Sequence, residues 1–265
     1  MRLSLIITTY NWPDSLVLTL KSIENQTISP DEIIIADDGS TDETQEVIAK
    51  FQQGSELNII HSWQEDMGFR AAQSRNKAIV KSTGDYIVLI DGDMILHPQF
   101  IQDHISQAQS GYFIQGSRVL LSEEETKRTL VEKKIKFSFF SVGLKNRKNS
   151  IYSKFLSKIF SNKKSYLRGI KSCNMAFYKQ DCFNINGFNN EFKGWGREDS
   201  EFAVRLLNSG IKRKNIRFNA IQFHLWHKEN NKISLDKNNL ILQNAINNRI
   251  HWCENGINLV ESNES

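Results

Sequence analysis

Apolar runs and amphipathic stretches alternate along the first hundred residues. Leu3-Ser4-Leu5-Ile6-Ile7-Thr8-Thr9, Glu32-Ile33-Ile34-Ile35-Ala36, Leu57-Asn58-Ile59-Ile60 and Tyr86-Ile87-Val88-Leu89-Ile90 are short apolar runs, the pattern of strands buried on both faces. Between them lie helical patterns. Pro13 falls where a helix can begin with its missing N–H harmless, and Leu16, Leu20 and Ile23 give that helix its stripe. Ser40 with Glu43 three residues on predicts a capping box opening a helix through Phe51, and a third helix runs from about Arg70 to Lys81, ended by Gly84. This β-α alternation predicts an α/β fold with a doubly wound, mostly parallel sheet. Farther on the pattern loosens. It predicts a helix near Gln99–Gln109 and a strand near Tyr112–Leu121. A basic amphipathic helix follows, with Ile151, Phe155, Leu156, Ile159 and Phe160 on one stripe and Lys154, Lys158, Lys163 and Lys164 interleaved. Another apolar run covers Ser172–Tyr178, and a helix begins at Glu198 with Phe202, Leu206 and Leu207 on one face. A strand follows over Arg217–Phe223, and a tail helix carries Ile233, Leu240, Ile241, Ala245 and Ile246.

With 265 residues, 39% of them hydrophobic, the chain can bury a substantial core in one catalytic-size unit. Cys173, Cys182 and Cys253 have no metal-site spacing and cannot all pair, so a reducing cytosol is expected. The start of the chain lacks a signal-peptide layout, and no apolar stretch reaches the roughly 18–20 residues that span a bilayer, so an integral membrane protein is not expected. Charge divides the chain further. The net +4 conceals fourteen Lys/Arg against the single Glu132 between residues 127 and 171, a cationic island on an acidic remainder. Such an island points to an anionic partner, membrane or nucleic acid. It also suggests boundaries: a nucleotide-binding half over residues 1–121, a basic insertion over 122–171, and a second half of the same domain over 172–265.

Candidate chemistry gathers at strand ends. The run Tyr86–Ile90 closes in Asp91-Gly92-Asp93, two carboxylates where open α/β sheets place their ligands, suited to a hard divalent cation shared with phosphates. Neither a dinucleotide glycine fingerprint nor a P-loop is present, so phosphates must be held by metal and arginine, and Arg70 and Arg75 near the start of the third helix could face either phosphates or solvent. Asp37-Asp38 closes the second strand and could bond a base or ribose. Glu198 and Asp199 open a helix, where the macrodipole favours ionised carboxylates, and Asp199 is the candidate general base. The indole of Gly194-Trp195-Gly196 suits stacking on a sugar. His224 and His227 could complete a metal site with Asp93, provided the strand ends by His224, since residues three apart on a strand face opposite ways.

In order and spacing, Leu5-Ile6-Ile7-Thr8-Thr9-Tyr10-Asn11, Asp37-Asp38-Gly39-Ser40-Thr41-Asp42, Ser74-Arg75-Asn76-Lys77-Ala78 and Asp91-Gly92-Asp93 resemble the inverting family-two glycosyltransferases of GT-A fold. Gly194-Trp195-Gly196-Arg197-Glu198-Asp199 and His224-Leu225-Trp226-His227 resemble the C-terminal half of the galactosyltransferase and chondroitin-polymerase type, with Arg197 in place of a second glycine. The resemblance implies a GT-A, Rossmann-like, mostly parallel sheet flanked by helices, here carrying a basic helical insertion. It implies that Tyr10 stacks on uracil, Thr8 lines its pocket, Asp38 binds the base, Asp91 approaches the ribose and Arg75 belongs to the donor site. Asp93, His227 and, less directly, His224 would ligate Mn²⁺ or Mg²⁺; Trp195 and Glu198 would contact the acceptor beside the base Asp199.

The expected function is inverting, metal-dependent transfer from a UDP-sugar to a glycan or lipid-linked saccharide in bacterial surface polysaccharide or lipopolysaccharide synthesis. The expected location is cytoplasmic, peripheral on an anionic inner membrane face, with no nucleic-acid partner. The alternatives are a sugar nucleotidyltransferase, which should show a glycine-rich basic loop after the first strand, and a non-catalytic glycan- or nucleic-acid-binding protein.

Overall fold

In the computed structural model, which describes residues 1–163, 166–228 and 231–260, the predicted alternation folds as β1 (Leu3–Thr9), α1 (Pro13–Glu24), β2 (Glu32–Asp37), α2 (Asp42–Gly54), β3 (Ile59–Trp63), α3 (Ala71–Lys81) and β4 (Tyr86–Asp91). Then come β5 (Met94–Leu96), α4 (Phe100–Gln107), β6 (Tyr112–Gln115), β7 (Val119–Leu121), α5 (Glu123–Glu132), β8 (Leu144–Lys145) and α6 (Lys154–Phe160). The remainder is β9 (Met175–Tyr178), α7 (Lys179–Asn184), α8 (Glu198–Asn208), β10 (Lys212–Asn215), β11 (Gln222–His224) and α9 (Leu235–Asn247).

Seven strands form one sheet in the order β10-β6-β9-β4-β1-β2-β3, parallel except for β9, which runs antiparallel to β4 and β6. The apolar runs are buried on both faces as their composition requires. Leu5, Ile7, Val88 and Ile90 pack under α1 with Leu16 and Leu20, while Ile6, Ile34, Ile87 and Leu89 join Phe177, Phe188 and Phe202 on the other side. Phe202 stacks on Phe188 with ring centroids 4.1 Å apart, which fixes α8 against the sheet; truncating it to Ala would cost about 3–5 kcal/mol. A second, four-stranded sheet, β5-β11-β7-β8, has its own core of Leu18, Ile95, Val119, Leu121, Phe223 and Leu225.

Several local expectations are corrected. The Ser40/Glu43 capping box does not form: Ser40 Oγ accepts instead from Asn11 N–H at 2.9 Å, its own N–H donates to Asp37 Oδ1, and the helix starts at Asp42. That bond ties the turn after β2 to the turn after β1. The strand expected over Tyr112–Leu121 is two strands in different sheets. The chain crosses between them at Gly116, whose N–H donates to Asn174 O and where a Cβ would overlap the Asn174 side chain. The strand expected over Arg217–Phe223 is confined to its end, because Phe218 and Ala220 have left-handed φ values of 62° and 47° and Asp103 grips Asn219 and the Ala220 N–H. The unforeseen β10 lies just before it. The basic amphipathic helix lasts seven residues, capped by Ser153 and stopped where Asn162 bridges to Asn215, leaving Phe155, Ile159 and Phe160 exposed. Lys164, placed on that helix from the sequence, lies outside the described residues. The tail helix buries Leu242 and Ala245, whereas Leu240 and the preceding Ile233 face outward. All three cysteines are free and buried.

Candidate functional site

The carboxyl ends of β1 and β4 are neighbours in register, Thr8 opposite Asp91, and they open onto a cleft of about 980 Å³. Gly92 allows this closeness. A Cβ there would lie 3.0 Å from Thr9 Oγ1, and the Gly92 carbonyl accepts from Thr19 Oγ1 in α1. Arg75, from α3, is buried beneath the cleft. Its Nε–H donates to Thr8 Oγ1 at 3.1 Å, one terminal nitrogen lies 3.2 Å from Glu198 Oε1 and the other 3.6 Å from Asp91 Oδ1. One guanidinium thus joins the end of β4 to the start of α8. Burial raises the Asp91 pKa, with Arg75 opposing the rise and the Asp93 charge adding to it.

Asp93 stands at the passage from β4 into β5. Because β11 runs antiparallel to β5 with His224 opposite Met94, and the Leu225 N–H donates to Asp93 O, the strand ends at His224 and the chain turns. The condition set by strand geometry is met: His224 Nε2 and His227 Nε2 lie 3.3 and 3.4 Å from Asp93 Oδ2. His227 Nδ1–H donates to Lys228 O at 2.8 Å, which fixes the tautomer and leaves Nε2 available as a ligand. Among the described residues Asp93 Oδ1 is buried without a hydrogen-bond partner, and one atom from each of the three residues lies within 4.8 Å of the others. Burial works against ionising Asp93, but His224 and then His227 outweigh it and hold the carboxyl below its usual range. An ionised carboxylate with two imidazoles and an unused oxygen fits a divalent cation such as Mn²⁺. Trp12 packs edge-on against His227, and Trp226 N–H donates to Thr126 Oγ1 of α5, so the segment after residue 122 braces the histidine loop.

Glu198 and Asp199 begin α8 as the sequence indicated. Burial, then the Glu198 charge, pushes the Asp199 carboxyl up to about 7 against the pull of Arg75, while Ser200 Oγ–H donates to Asp199 Oδ1. The loop before them is held by α9. Asn238 Nδ2 donates to Gly196 O, Arg197 Nε to Asn239 Oδ1, and a Cβ on Gly194 (φ 73°) would overlap the Ser234 hydroxyl. Arg197 itself adopts φ 79°, a conformation natural to glycine. Trp195 lines the cleft and is 39% exposed.

On the opposite side, Tyr10 is half exposed, with its hydroxyl donating to Asp66 Oδ2 at 2.9 Å. Asp38 is buried and accepts from Gln64 Nε2 and Arg70 N–H; burial raises its pKa against these bonds. Its neighbour Asp37 is structural, paired with His61 and the Ser40 N–H. The Arg70 side chain bonds to Gln73 and Glu65 O, outside the cleft lining, so of the two arginines proposed for phosphates only Arg75 reaches the site. Sequence reasoning missed Arg118, Lys145 and Lys171, which line the cleft; for Lys145 and Lys171 the one signal was the density of cations between residues 127 and 171, read there as a surface, and for Arg118 there was none.

The model of Glycosyl transferase family 2 matches residues 4–184, more than half of the chain, and that of the N-terminal domain of galactosyltransferase matches residues 155–228. The chain is 28% identical to chondroitin synthase of Escherichia coli over 84% of its own length and 34% of that protein's. It is 29% identical to hyaluronan synthase of Pasteurella multocida over 81% of its length and 24% of that protein's. It therefore spans about a third or less of these two relatives. In fold it is similar to S. aureus TarS 1–349 in complex with UDP (TM-score 0.62, 15% identity, 91% of this chain and 64% of that one). It is likewise similar to the mannosyltransferase PcManGT of Pyrobaculum calidifontis in complex with GDP-Man and Mn²⁺ (TM-score 0.59, 16% identity, 86% and 58%).

Proposed function

The chain belongs to glycosyl transferase family 2, and from that premise we propose that it moves a sugar from a UDP-sugar to a hydroxyl of a glycan or lipid-linked saccharide, with inversion at the anomeric carbon. The pathway we propose is bacterial surface polysaccharide or lipopolysaccharide synthesis. The carrying observation is that one cleft is lined both by the Asp93, His224 and His227 cluster and by Asp199, a carboxyl poised near neutrality. The relatives, a chondroitin and a hyaluronan synthase, and a fold neighbour solved with UDP support the substrate classes.

In this reading Tyr10 stacks on the uracil, Thr8 and Asp38 line its pocket and Asp91 faces the ribose. Arg75 holds Asp91 and Glu198 in place. Asp93, His224 and His227 would hold Mn²⁺ or Mg²⁺, which when bound supplies positive charge against the departing diphosphate. Trp195 offers the acceptor sugar a stacking face and Glu198 orients it. Asp199 takes the proton of the attacking hydroxyl as its oxygen bonds to the anomeric carbon. As that bond forms, the bond from the anomeric carbon to the diphosphate oxygen breaks with its electron pair staying on UDP, and this single displacement inverts the centre. No helix among the described residues is long and apolar enough to cross a membrane, and we place the protein in the cytoplasm, peripheral on the inner face of the membrane.

The test is a panel of UDP- and GDP-sugars with Mn²⁺, the product anomer being assigned by NMR. Metal-dependent turnover of a UDP-sugar with inversion is expected; turnover confined to GDP-sugars, or retention of configuration, would sink the reading. In the same assay Asp93→Ala and His227→Ala should each weaken Mn²⁺-dependent UDP binding by more than about tenfold, since even outer-shell losses at metal sites reach that size. Unchanged metal dependence in both would remove the site.

A further inference from the structure

Two cations in the cleft have their main chains fixed and their heads uncommitted. Arg118 stands between the sheets, just past the crossing from β6 to β7, and its carbonyl accepts from Asn146 Nδ2 at 2.9 Å and Asn149 Nδ2 at 3.2 Å. The Lys171 backbone is clamped by the buried side chain of Gln115: Lys171 N–H donates to Oε1 and Nε2 donates to Lys171 O, both at 3.0 Å. Yet among the described residues Arg118 Nε is buried without a partner, and the one hydrogen bond from its guanidinium is a long 3.6 Å contact with Cys173 Sγ. Neither cation forms an ion pair among the described residues.

The nearby carboxylates are already engaged, Asp91 with Arg75 and Asp93 with two histidines. Burial and then the neighbouring Arg118 charge disfavour protonated Lys171 and outweigh the opposing pull of Cys173 and Asp199, so the two cations repel each other across a partly desolvated gap. Like charges held together on pinned backbones make a preorganised anion site. A planar guanidinium beside a compact ammonium matches the several oxygens of a phosphate.

We propose that Arg118 and Lys171 bind a phosphate group of a substrate, on the wall of the cleft near Asp91 and Asp93. The proposal deepens the glycosyl-transfer reading and rests on it for the substrate, since that reaction brings in a nucleoside diphosphate and, with a lipid-linked acceptor, a second source of phosphate.

The test titrates uridine, UMP and UDP, each with Mn²⁺, into wild type, Arg118→Gln and Lys171→Gln, following Kd by calorimetry and folding by circular dichroism. If the nucleotide supplies the phosphate, the variants keep their uridine affinity and lose roughly ten- to hundredfold of the gain from uridine to UDP, the range of a charged hydrogen bond. If the acceptor supplies it, nucleotide binding is unchanged, but inorganic phosphate raises the Tm of wild type saturated with UDP and Mg²⁺ and not that of the variants. Arg118→Lys should recover part of either effect, which separates a lost anion contact from lost packing on Cys173. Nucleotide affinities like those of wild type in both variants, together with no phosphate effect on wild type, overturn the proposal. Wild type that binds none of the uridine ligands overturns the donor reading instead, and the phosphate arm, run without nucleotide, then decides Arg118 and Lys171.

Discussion

Asp199 faces two opposing demands. The burial that raises its carboxyl to about 7, and so suits it to the proposed role of base, also makes its charged form costly to the fold. Its carboxyl titrates at about 7 in the native state against an ordinary value of 3.8, so the native state keeps a proton that the unfolded chain has released. That contribution to stability is fully present below the unfolded value and is lost as pH rises through about 7. Two outcomes follow for Asp199→Asn. Transfer should fall on the order of 10²–10⁴-fold with UDP and Mn²⁺ binding kept, and the wild-type profile of kcat/KM should rise with pH through an apparent pKa near 7. Its Tm should match wild type near pH 4 and exceed it increasingly up to pH 7–8. A near-normal turnover in Asp199→Asn, with loss in Glu198→Gln, would move the base to Glu198. The sequence exposed both acids through their position at a helix start, but not which of them is paired. The Arg75–Glu198 contact spans 123 residues, and no local pattern encodes it.

At the level of elements, helices outside the main sheet support the cleft. Asn238 of α9 is buried and holds the Gly196 carbonyl. Asn238→Ala should therefore raise the acceptor KM while leaving UDP and Mn²⁺ affinity unchanged; a rise in UDP Kd of similar size would show that α9 supports the donor side as well. Thr126 of α5 accepts the Trp226 N–H between the two histidines. Thr126→Val removes that acceptor and should cost about 1–3 kcal/mol, read in urea unfolding, and weaken Mn²⁺ binding measured by electron paramagnetic resonance. If stability falls without any change in Mn²⁺ affinity, the helix supports the fold but not the histidines. The helices α1–α4, α8 and α9 were legible because each buries a periodic face, and β1–β4 because each is a short apolar run at a regular place in the alternation, whereas α5 and α7 were not foreseen. The short strands of the second sheet and β10 were not, because two to four residues carry no period, and their pairing depends on partners up to 130 residues away.

Across the whole molecule, charge and apolar exposure coincide on one segment. Between Glu132 and Asp181 the sequence has no acid, and Phe139, Phe140, Val142, Phe155 and Ile159 are exposed there, Phe140 to 85%. The protein should bind anionic vesicles, with affinity falling steeply between 50 and about 200 mM salt as screening shortens the reach of each lysine, worth about 1 kcal/mol near such a surface. Equal sedimentation with neutral and anionic vesicles would remove the membrane from the account, and a preference for RNA would replace it. The sequence by itself determined the parallel α/β core, the strand ends on which Thr8, Asp38, Asp91 and Asp93 stand, and the helix start that carries Asp199, because hydrophobic period and turn chemistry act within a dozen residues. Tertiary structure alone decided that β5 and β11 pair, so that Asp93 meets His224 and His227. It also decided that Arg75 bridges Asp91 to Glu198, and that part of the basic segment turns its cations into the cleft. Those contacts join segments far apart in the chain, and their energy depends on desolvation and charge neighbours that exist only once the chain has closed around them.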